Sequence, residues 1–363
     1  MRLPKAELHA HLHGSIRDAT LLELLGEAAS PAALSAMRIL SAEAADDVHR
    51  RRSLFECFAL FDSIHEAVTS PAAVERITRE VVADFAADGV RYLELRTTPR
   101  RDVMTAGAYV DAIERALHVN PTRCVVRLLL SINRAQSVAA AEATVDLACE
   151  RRRRVECDDD GGGHFVVGVD LSGNPTVGDF AAFAPALRRA RACGLKITVH
   201  CAEVVKPEEV RAIVAFAPDR LGHALHLPRD VVAALLEARI PIEMCPTSNT
   251  HTLHLDTLAK HPTLQLWLNA RYPISINTDD AGVFATSASE ELRRVADAFA
   301  LSPSAAAALA AAPFAHAFAD LRSEDFRAML ADAAADFDRL GFGDSAGRVL
   351  REQLALALAP ARL

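Results

Sequence analysis

The chain alternates short apolar segments of β-type composition with longer amphipathic segments of helical period. The predicted strands cover residues 3–14, 90–99, 123–133, 165–175, 195–203, 220–225, 240–249 and 274–280. Helical patterns separate most of them, at 71–88, 107–118, 135–151, 178–193, 206–217 and 229–238. Eight strands joined by helical crossovers favour a parallel sheet closed into a (β/α)8 TIM barrel, an α/β fold.

Two stretches do not fit this alternation. Residues 15–70 are too long for one crossover, and they predict a helical insertion after strand 1 that forms a pocket wall. The alanine-rich segment 288–363 predicts C-terminal helices packed on the outside of the barrel. We therefore expect a single barrel domain over residues 1–363. The charged run RRRRVECDDDGGGH at 151–164 is expected to be a solvated loop, on the barrel face away from the chemistry.

Composition narrows the class of protein. The chain has 363 residues, of which 51% are hydrophobic and 24% charged, as in a globular enzyme. A net charge of −8 argues against a nucleic-acid polymer as partner, and no uniformly apolar run is long enough to span a membrane. The seven cysteines show no CxxC pair and favour a reducing compartment over a disulfide framework. We expect a cytoplasmic monomer.

Polar residues concentrate where the predicted strands end. His9 and His11 alternate along the first strand, so their side chains share one face. The ends of strands five, six and eight carry His200, Glu203, His223, Asp279 and Asp280. Barrel enzymes place their sites at these strand ends. Each histidine alone is most simply an ordinary packed residue. Jointly, three imidazoles and a carboxylate form a ligand set typical of zinc.

The motifs at these positions resemble a known family. HAH, VHCAE, RLGH and NTDD, in this order, resemble the adenosine deaminase family of metal-dependent hydrolases. PKAELHAHLHGSIRD, YLELRTTPRR, GVDLSGNP, CPTSN and TDDAGVFATS are similar to its adenosine-deaminase-like branch, which acts on N6-methyl-AMP. The resemblance runs from residue 3 to about 290. It implies a zinc-dependent hydrolytic deaminase of 6-substituted purine nucleotides, which converts N6-methyl-AMP to IMP and methylamine.

The resemblance also implies roles for the matching residues around the metal. The ligands of one Zn²⁺ per subunit would be His9, His11, His200 and Asp279. Glu203 would protonate N1 of the purine, and His223 would orient the attacking water and help to deprotonate it. Asp280 would contact N7, and the backbone amide of Gly173 would contact N3. Attack at C6 sends electrons to N1, so a general acid there is worth about 10²–10⁴ in rate.

The sugar-phosphate end of the substrate would meet a different set of residues. The resemblance assigns contacts there to His65, Thr97, Thr98, Pro99 and Arg100. Hydroxyls, backbone amides and a guanidinium after a strand suit phosphate, although without the resemblance they would be read as solvated loop residues.

Two positions at this end depart from the branch. His13 replaces the usual Asn, and Asn133 replaces the usual Asp. Together these changes would make the sugar-phosphate end less repulsive to an anion. A shifted substrate is the competing explanation.

The motifs fit other metal arrangements and other functions less well. Binuclear relatives on this barrel use a modified lysine at the end of strand four, and GVDLSGNP has none, which favours a single ion. The alternative within the family is an adenosine deaminase, which converts adenosine to inosine and ammonia. An amidase or esterase fits the paired Asp279 and Asp280 less well. A silent purine-binding protein would not need the intact metal and acid positions.

Overall fold

Eight parallel strands form one sheet in the order of the chain in this computed structural model. The structure describes residues 2–26, 53–118, 122–157 and 164–358. The strands are β1 (Lys5–His11), β2 (Val90–Thr97), β3 (Val125–Asn133), β4 (Val166–Ser172), β5 (Lys196–Cys201), β6 (Arg220–His223), β7 (Ile242–Met244) and β8 (Ile274–Ile276). The (β/α)8 barrel expected from the alternation is confirmed.

The α-helices of the described residues surround this sheet. They are α1 (Asp18–Leu25), α2 (Leu54–Ala67), α3 (Pro71–Ala87), α4 (Ala106–His118), α5 (Val138–Cys157), α6 (Phe180–Ala192), α7 (Pro207–Phe216), α8 (Arg229–Ala238), α9 (Pro246–Thr252), α10 (Leu264–Asn269), α11 (Ala288–Ala298), α12 (Pro303–Ala311), α13 (Glu324–Arg339) and α14 (Arg348–Leu358). Of the insertion predicted at 15–70, α1 and α2 are described, and residues 27–52 lie outside the described ranges.

The barrel closes where β8 meets β1. Beyond β8, an isolated parallel bridge pairs Asp279 with Ala10. The His11 amide donates to the Asp279 carbonyl, and the Asp279 amide donates to the His9 carbonyl, both at 2.9 Å. The backbone bonds that complete the barrel thus belong to residues expected to hold the metal.

Two boundaries differ from the predicted ones. The predicted strand 240–249 contains only β7, because Pro246 begins helix α9 with a φ angle already suited to a first helical turn. The predicted loop 151–164 begins inside α5, which continues to Cys157. Arg151 is 6% exposed and forms ion pairs with Asp111 and Glu114, so the expectation of a solvated residue there is wrong. Residues 158–163 of this loop lie outside the described ranges.

The C-terminal segment both covers and fills the barrel. Phe314, Phe326 and Phe337 pack with Leu8 and other residues in a cluster against β1 and β2, as an outer layer would. Beyond the prediction, Phe318 packs on Leu129 in the middle of β3 and on Val167 near the beginning of β4. The guanidinium carbon of Arg220 lies 3.4 Å from the centre of the Phe318 ring. The segment therefore also packs against a buried charge inside the barrel.

One pair of cysteines is bonded. Cys149 on α5 and Cys193 after α6 form a disulfide, with Cα atoms 5.8 Å apart. The cysteine count did not predict this bond, because the two residues are separated by 44 positions and meet only where the two helices pack. Within the described residues, no helix combines the length and apolar character that crossing a membrane requires.

The close pairing of β4 with β5 provides a test of the fold. A Cβ atom added at Gly168 would lie 2.6 Å from the backbone oxygen of Lys196 and 3.2 Å from the Phe318 ring. Gly168→Ala should lower the free energy of unfolding by about 1–3 kcal/mol, measured by denaturant titration. Gly107→Ala is the control, because its nearest atom is 3.6 Å away and alanine favours the helix there. Equal stability of both variants would contradict the packing described here.

Candidate active site

A cavity of about 830 Å³ opens at the carboxyl ends of the strands. His11, His200, Glu203, His223 and Asp279 line it. The expected substrate contacts also line it, namely His13, His65, Thr97, Thr98, Pro99, Arg100, Asn133, Gly173 and Asp280. One wall comes from α2 and the residue before it, through Ser53, Cys57, Phe61 and His65. The structure therefore brings the residues of both predicted ends around one cavity.

Four side chains, three of which line the cavity, converge on a point between β1, β5 and β8. His9, His11, His200 and Asp279 offer ligand atoms that all lie within 4.8 Å of one another. Asp279 Oδ1 is 3.3 Å from Nε2 of both His9 and His11. His9 Nε2 is buried without a hydrogen-bond partner, which is costly unless another group uses it. The donor set and this orphaned nitrogen fit a divalent ion of the zinc type.

Two buried carboxylates orient the imidazoles from below. His9 Nδ1 lies 2.6 Å from Glu243 Oε2, and His200 Nδ1 lies 3.0 Å from Asp170 Oδ1. Because a carboxylate accepts, Nδ1 of each ring carries the proton and Nε2 remains for the metal. Neither acid was among the site residues predicted from the sequence. In β4 and in β7 a single acidic residue interrupts an apolar run, and that interruption is the signal that could identify the carboxylate partners of the histidines.

The two acids belong to a charged layer inside the barrel. Glu243 also accepts from Arg96 at 2.9 Å, from Arg220 Nε at 2.7 Å and from Thr198 Oγ1 at 3.0 Å. Arg96 NH1 lies 3.4 Å from Asp170 Oδ1. Burial opposes ionisation, but the charges of Arg96 and Arg220 hold the pKa of Glu243 well below its usual range. Glu243 is therefore an anion that polarises His9.

Two side chains that line the cavity sit on a strained backbone. His223 has φ of 61° and Asp279 has φ of 63°, in the left-handed region that non-glycine residues rarely adopt. Ser248 donates a hydrogen bond to Asp279 Oδ2 at 2.7 Å. Such conformations cost about 1–3 kcal/mol and persist where the surroundings impose them. At these strand ends they aim both side chains into the cavity.

Asp280 is a buried carboxyl group beside this cluster, and Glu203 is a partly buried one with 13% of its side chain exposed. Glu203 Oε2 is 3.9 Å from His223 Nε2. Burial and the charge of Asp279 raise the pKa of Glu203 to about 8, and the same causes raise that of Asp280 to about 8. A Cβ atom at Gly14 would lie 1.7 Å from Asp280 Oδ1, so only glycine leaves room for this carboxyl.

Comparison with known proteins identifies the family. The family model for adenosine deaminase matches residues 4–335. The chain belongs to the adenosine deaminase family. Its relatives place it in the adenosine-deaminase-like branch, as the motifs indicated, and it is a hydrolytic deaminase.

Relatives and a solved structure extend this likeness over most of the chain. The chain is 41% identical to the N6-mAMP deaminase of Arabidopsis thaliana, over 88% of this chain and 93% of the relative. It is 35% identical to the N6-methyl-AMP deaminase of Homo sapiens, over 83% and 85%. The crystal structure of Arabidopsis ADAL complexed with IMP has a TM-score of 0.80 at 39% identity, over 95% of this chain and 98% of that chain.

The expected phosphate end of this deaminase is held by contacts that the sequence analysis missed. Thr97 Oγ1 lies 2.6 Å from the hydroxyl of Tyr109, which is also 3.5 Å from His13 Nε2. Arg100 donates to Asp102 through Nε at 2.8 Å and NH2 at 2.5 Å. Its NH1 donates to the His65 carbonyl at 2.9 Å. The Nε and NH2 groups of Arg100, which could bind a phosphate bidentately, therefore already donate to the carboxylate of Asp102.

The part of the cavity expected to hold the ribose is closely packed. Asn133 Oδ1 accepts from the Ala135 amide at 2.9 Å. Gly173 has φ of 92°, and a Cβ atom there would lie 2.4 Å from Asn133 Oδ1. Glycine at 173 is therefore required both by backbone conformation and by space.

The carboxylate beneath His200 yields a prediction about metal binding. Asp170→Asn keeps the shape of the side chain but removes the charge that orients His200. We expect the affinity for Zn²⁺ to fall by roughly 10- to 100-fold, measured by competition with a chromophoric chelator. Asp146→Asn, at an acid with a 69% exposed side chain, is the charge-matched control. An unchanged dissociation constant in a folded Asp170→Asn variant would rule out the orienting role.

Proposed function

We propose that this deaminase uses one zinc ion to convert 6-substituted purine nucleotides, with N6-methyl-AMP giving IMP and methylamine. The observation that carries the proposal is the position of Glu203, a largely buried acid that lines the same cavity as His223 and Asp279. The named activity of the Arabidopsis and human relatives supports the substrate. The IMP bound to Arabidopsis ADAL supports a nucleotide product.

The reaction requires a nucleophile at C6 and a proton at N1. A divalent ion held by His9, His11, His200 and Asp279 supplies, when bound, the Lewis acidity that makes water nucleophilic near neutral pH. Glu203, protonated because burial raises its pKa, can give its proton to N1 as electrons leave C6. Over the whole reaction one proton of water ends on N1 and the other on the leaving amine, so Glu203 is unchanged.

Recognition of the purine edge uses a second protonated acid. Asp280 Oδ1 is buried without a hydrogen-bond partner. Because burial raises the pKa of Asp280, its carboxyl can donate to N7, which accepts. The backbone amide of Gly173 is proposed to meet N3.

The 5′ end offers a phosphate two neutral imidazoles and one paired guanidinium. Burial lowers the pKa of His13 and of His65, so both rings are neutral there. Arg100 provides the cation, but its guanidinium is already paired with Asp102. A phosphate must displace the Asp102 carboxylate or share the guanidinium with it. That pairing is the observation favouring the alternative, an adenosine deaminase that needs no phosphate contact.

A substrate panel separates the two functions. The specificity constant kcat/KM is measured for N6-methyl-AMP, N6-methyladenosine, AMP and adenosine. We expect N6-methyl-AMP to exceed its nucleoside by about 10- to 100-fold, since hydrogen bonds to a charged group are worth about 1.5–3 kcal/mol. Equal values for N6-methyl-AMP and N6-methyladenosine would disprove phosphate recognition, and a preference for adenosine would establish the alternative.

The acid role of Glu203 is tested by Glu203→Gln, which keeps the size and removes the transferable proton. We expect kcat to fall by about 10²–10⁴, while the dissociation constant of IMP changes little. Glu208→Gln, at an acid with an 88% exposed side chain, is the control and should retain full activity. A kcat within a few-fold of the unmodified enzyme would remove Glu203 from the mechanism.

A further inference from the structure

A chain of buried hydrogen bonds reaches His223 through Asn249, which also lines the cavity. The amides of Thr263 and Leu264 donate to His261 Nδ1 at 3.3 and 3.1 Å. His261 Nε2 lies 3.2 Å from Asn249 Oδ1, and Asn249 Nδ2 lies 3.1 Å from His223 Nδ1. His261, Asn249 and His223 are at most 4% exposed. The chain therefore begins at backbone and ends on a side chain of the cavity floor.

The donor and acceptor of every bond in this chain follow from the two backbone amides at its beginning. Backbone amides can only donate, so His261 Nδ1 must be the unprotonated nitrogen of that ring. Its Nε2 then carries the hydrogen and donates to Asn249, which fixes the Asn249 carbonyl toward His261. The Asn249 amide nitrogen consequently faces His223 and donates to Nδ1. Burial lowers the pKa of His261 to about 4, which keeps this ring neutral and the direction unique.

We infer that His261 and Asn249 are positioning residues that hold His223 in the tautomer with its hydrogen on Nε2. This inference rests on the proposed function for its catalytic meaning. His223 Nε2 faces the cavity, 3.9 Å from Glu203 Oε2 and 4.0 Å from Asp279 Oδ2. In this tautomer His223 donates a hydrogen bond to the oxygen that attacks C6. It stabilises that oxygen and does not take its proton, which departs from the part in deprotonation that the resemblance implies for His223.

The contrast with the neighbouring histidines supports the assignment. Carboxylates face Nδ1 of His9 and His200, and they hold the hydrogen on that nitrogen. An amide nitrogen faces Nδ1 of His223 instead. The partner on Nδ1 thus decides whether a ring offers a lone pair or a hydrogen to the cavity.

Asn249→Asp tests the inference, because it replaces a donor with an acceptor of the same shape. The ¹⁵N NMR signals of the His223 ring, recorded on the metal-loaded enzyme without substrate, report which nitrogen carries the hydrogen. We expect Nε2–H in the unmodified enzyme and Nδ1–H in the variant. The kcat should fall by roughly 10²-fold, as when an oriented donor to a reacting oxygen is lost, with a smaller change in KM.

Two further variants separate a positioning role from a general loss of structure. Asn269→Asp adds the same charge at an exposed residue of α10 and should change neither the His223 tautomer nor kcat. His261→Gln keeps a donor toward Asn249 and should preserve Nε2–H, whereas His261→Glu presents only acceptors and should reverse it. The inference is overturned if the unmodified enzyme shows Nδ1–H, or if Asn249→Asp leaves the tautomer unchanged. Absence of purine turnover would instead disprove the proposed function and leave the NMR result intact.

Discussion

The site depends on a layer of paired charges buried inside the barrel. Glu243 receives hydrogen bonds from four side chains, and Arg220 connects it to Glu94 and to the carbonyl of His316. Fully buried charges are tolerated only when paired, so each member constrains the geometry of the others. The orientation of His9 is therefore set by contacts that extend to the opposite end of the barrel.

Where the barrel closes, one residue likewise contributes both to the fold and to the candidate site. The backbone of Asp279 completes the sheet between β8 and β1, and its side chain faces the histidines. A change that weakened closure would also displace the carboxylate of the candidate metal site. The left-handed backbone of Asp279 and of His223 shows that the surrounding packing, and not local preference, determines these conformations.

Three clustered histidines, His9, His200 and His223, differ in which ring nitrogen carries the hydrogen because different groups face Nδ1 of each ring. Glu243 and Asp170 leave the lone pair of Nε2 on His9 and His200 for an ion. The chain through His261 and Asn249 leaves a hydrogen on Nε2 of His223. In the proposed mechanism, tautomer choice thus divides one residue type into metal ligands and a hydrogen-bond donor.

The sequence by itself determined the barrel, since alternating strand and helical periods admit few other folds, and it determined which strand ends carry polar side chains. It did not reveal Glu243, Asp170, Asn249 or His261 as partners, because their roles depend on which atoms face each other across separate strands and helices. The charged run at 151–164 wrongly predicted a solvated Arg151. The burial of Arg151 against Asp111 and Glu114 depends on the packing of α4 against α5. Periodicity is a local property that sequence records directly. Hydrogen-bond direction and burial arise from contacts between distant residues, and only the tertiary structure decides those.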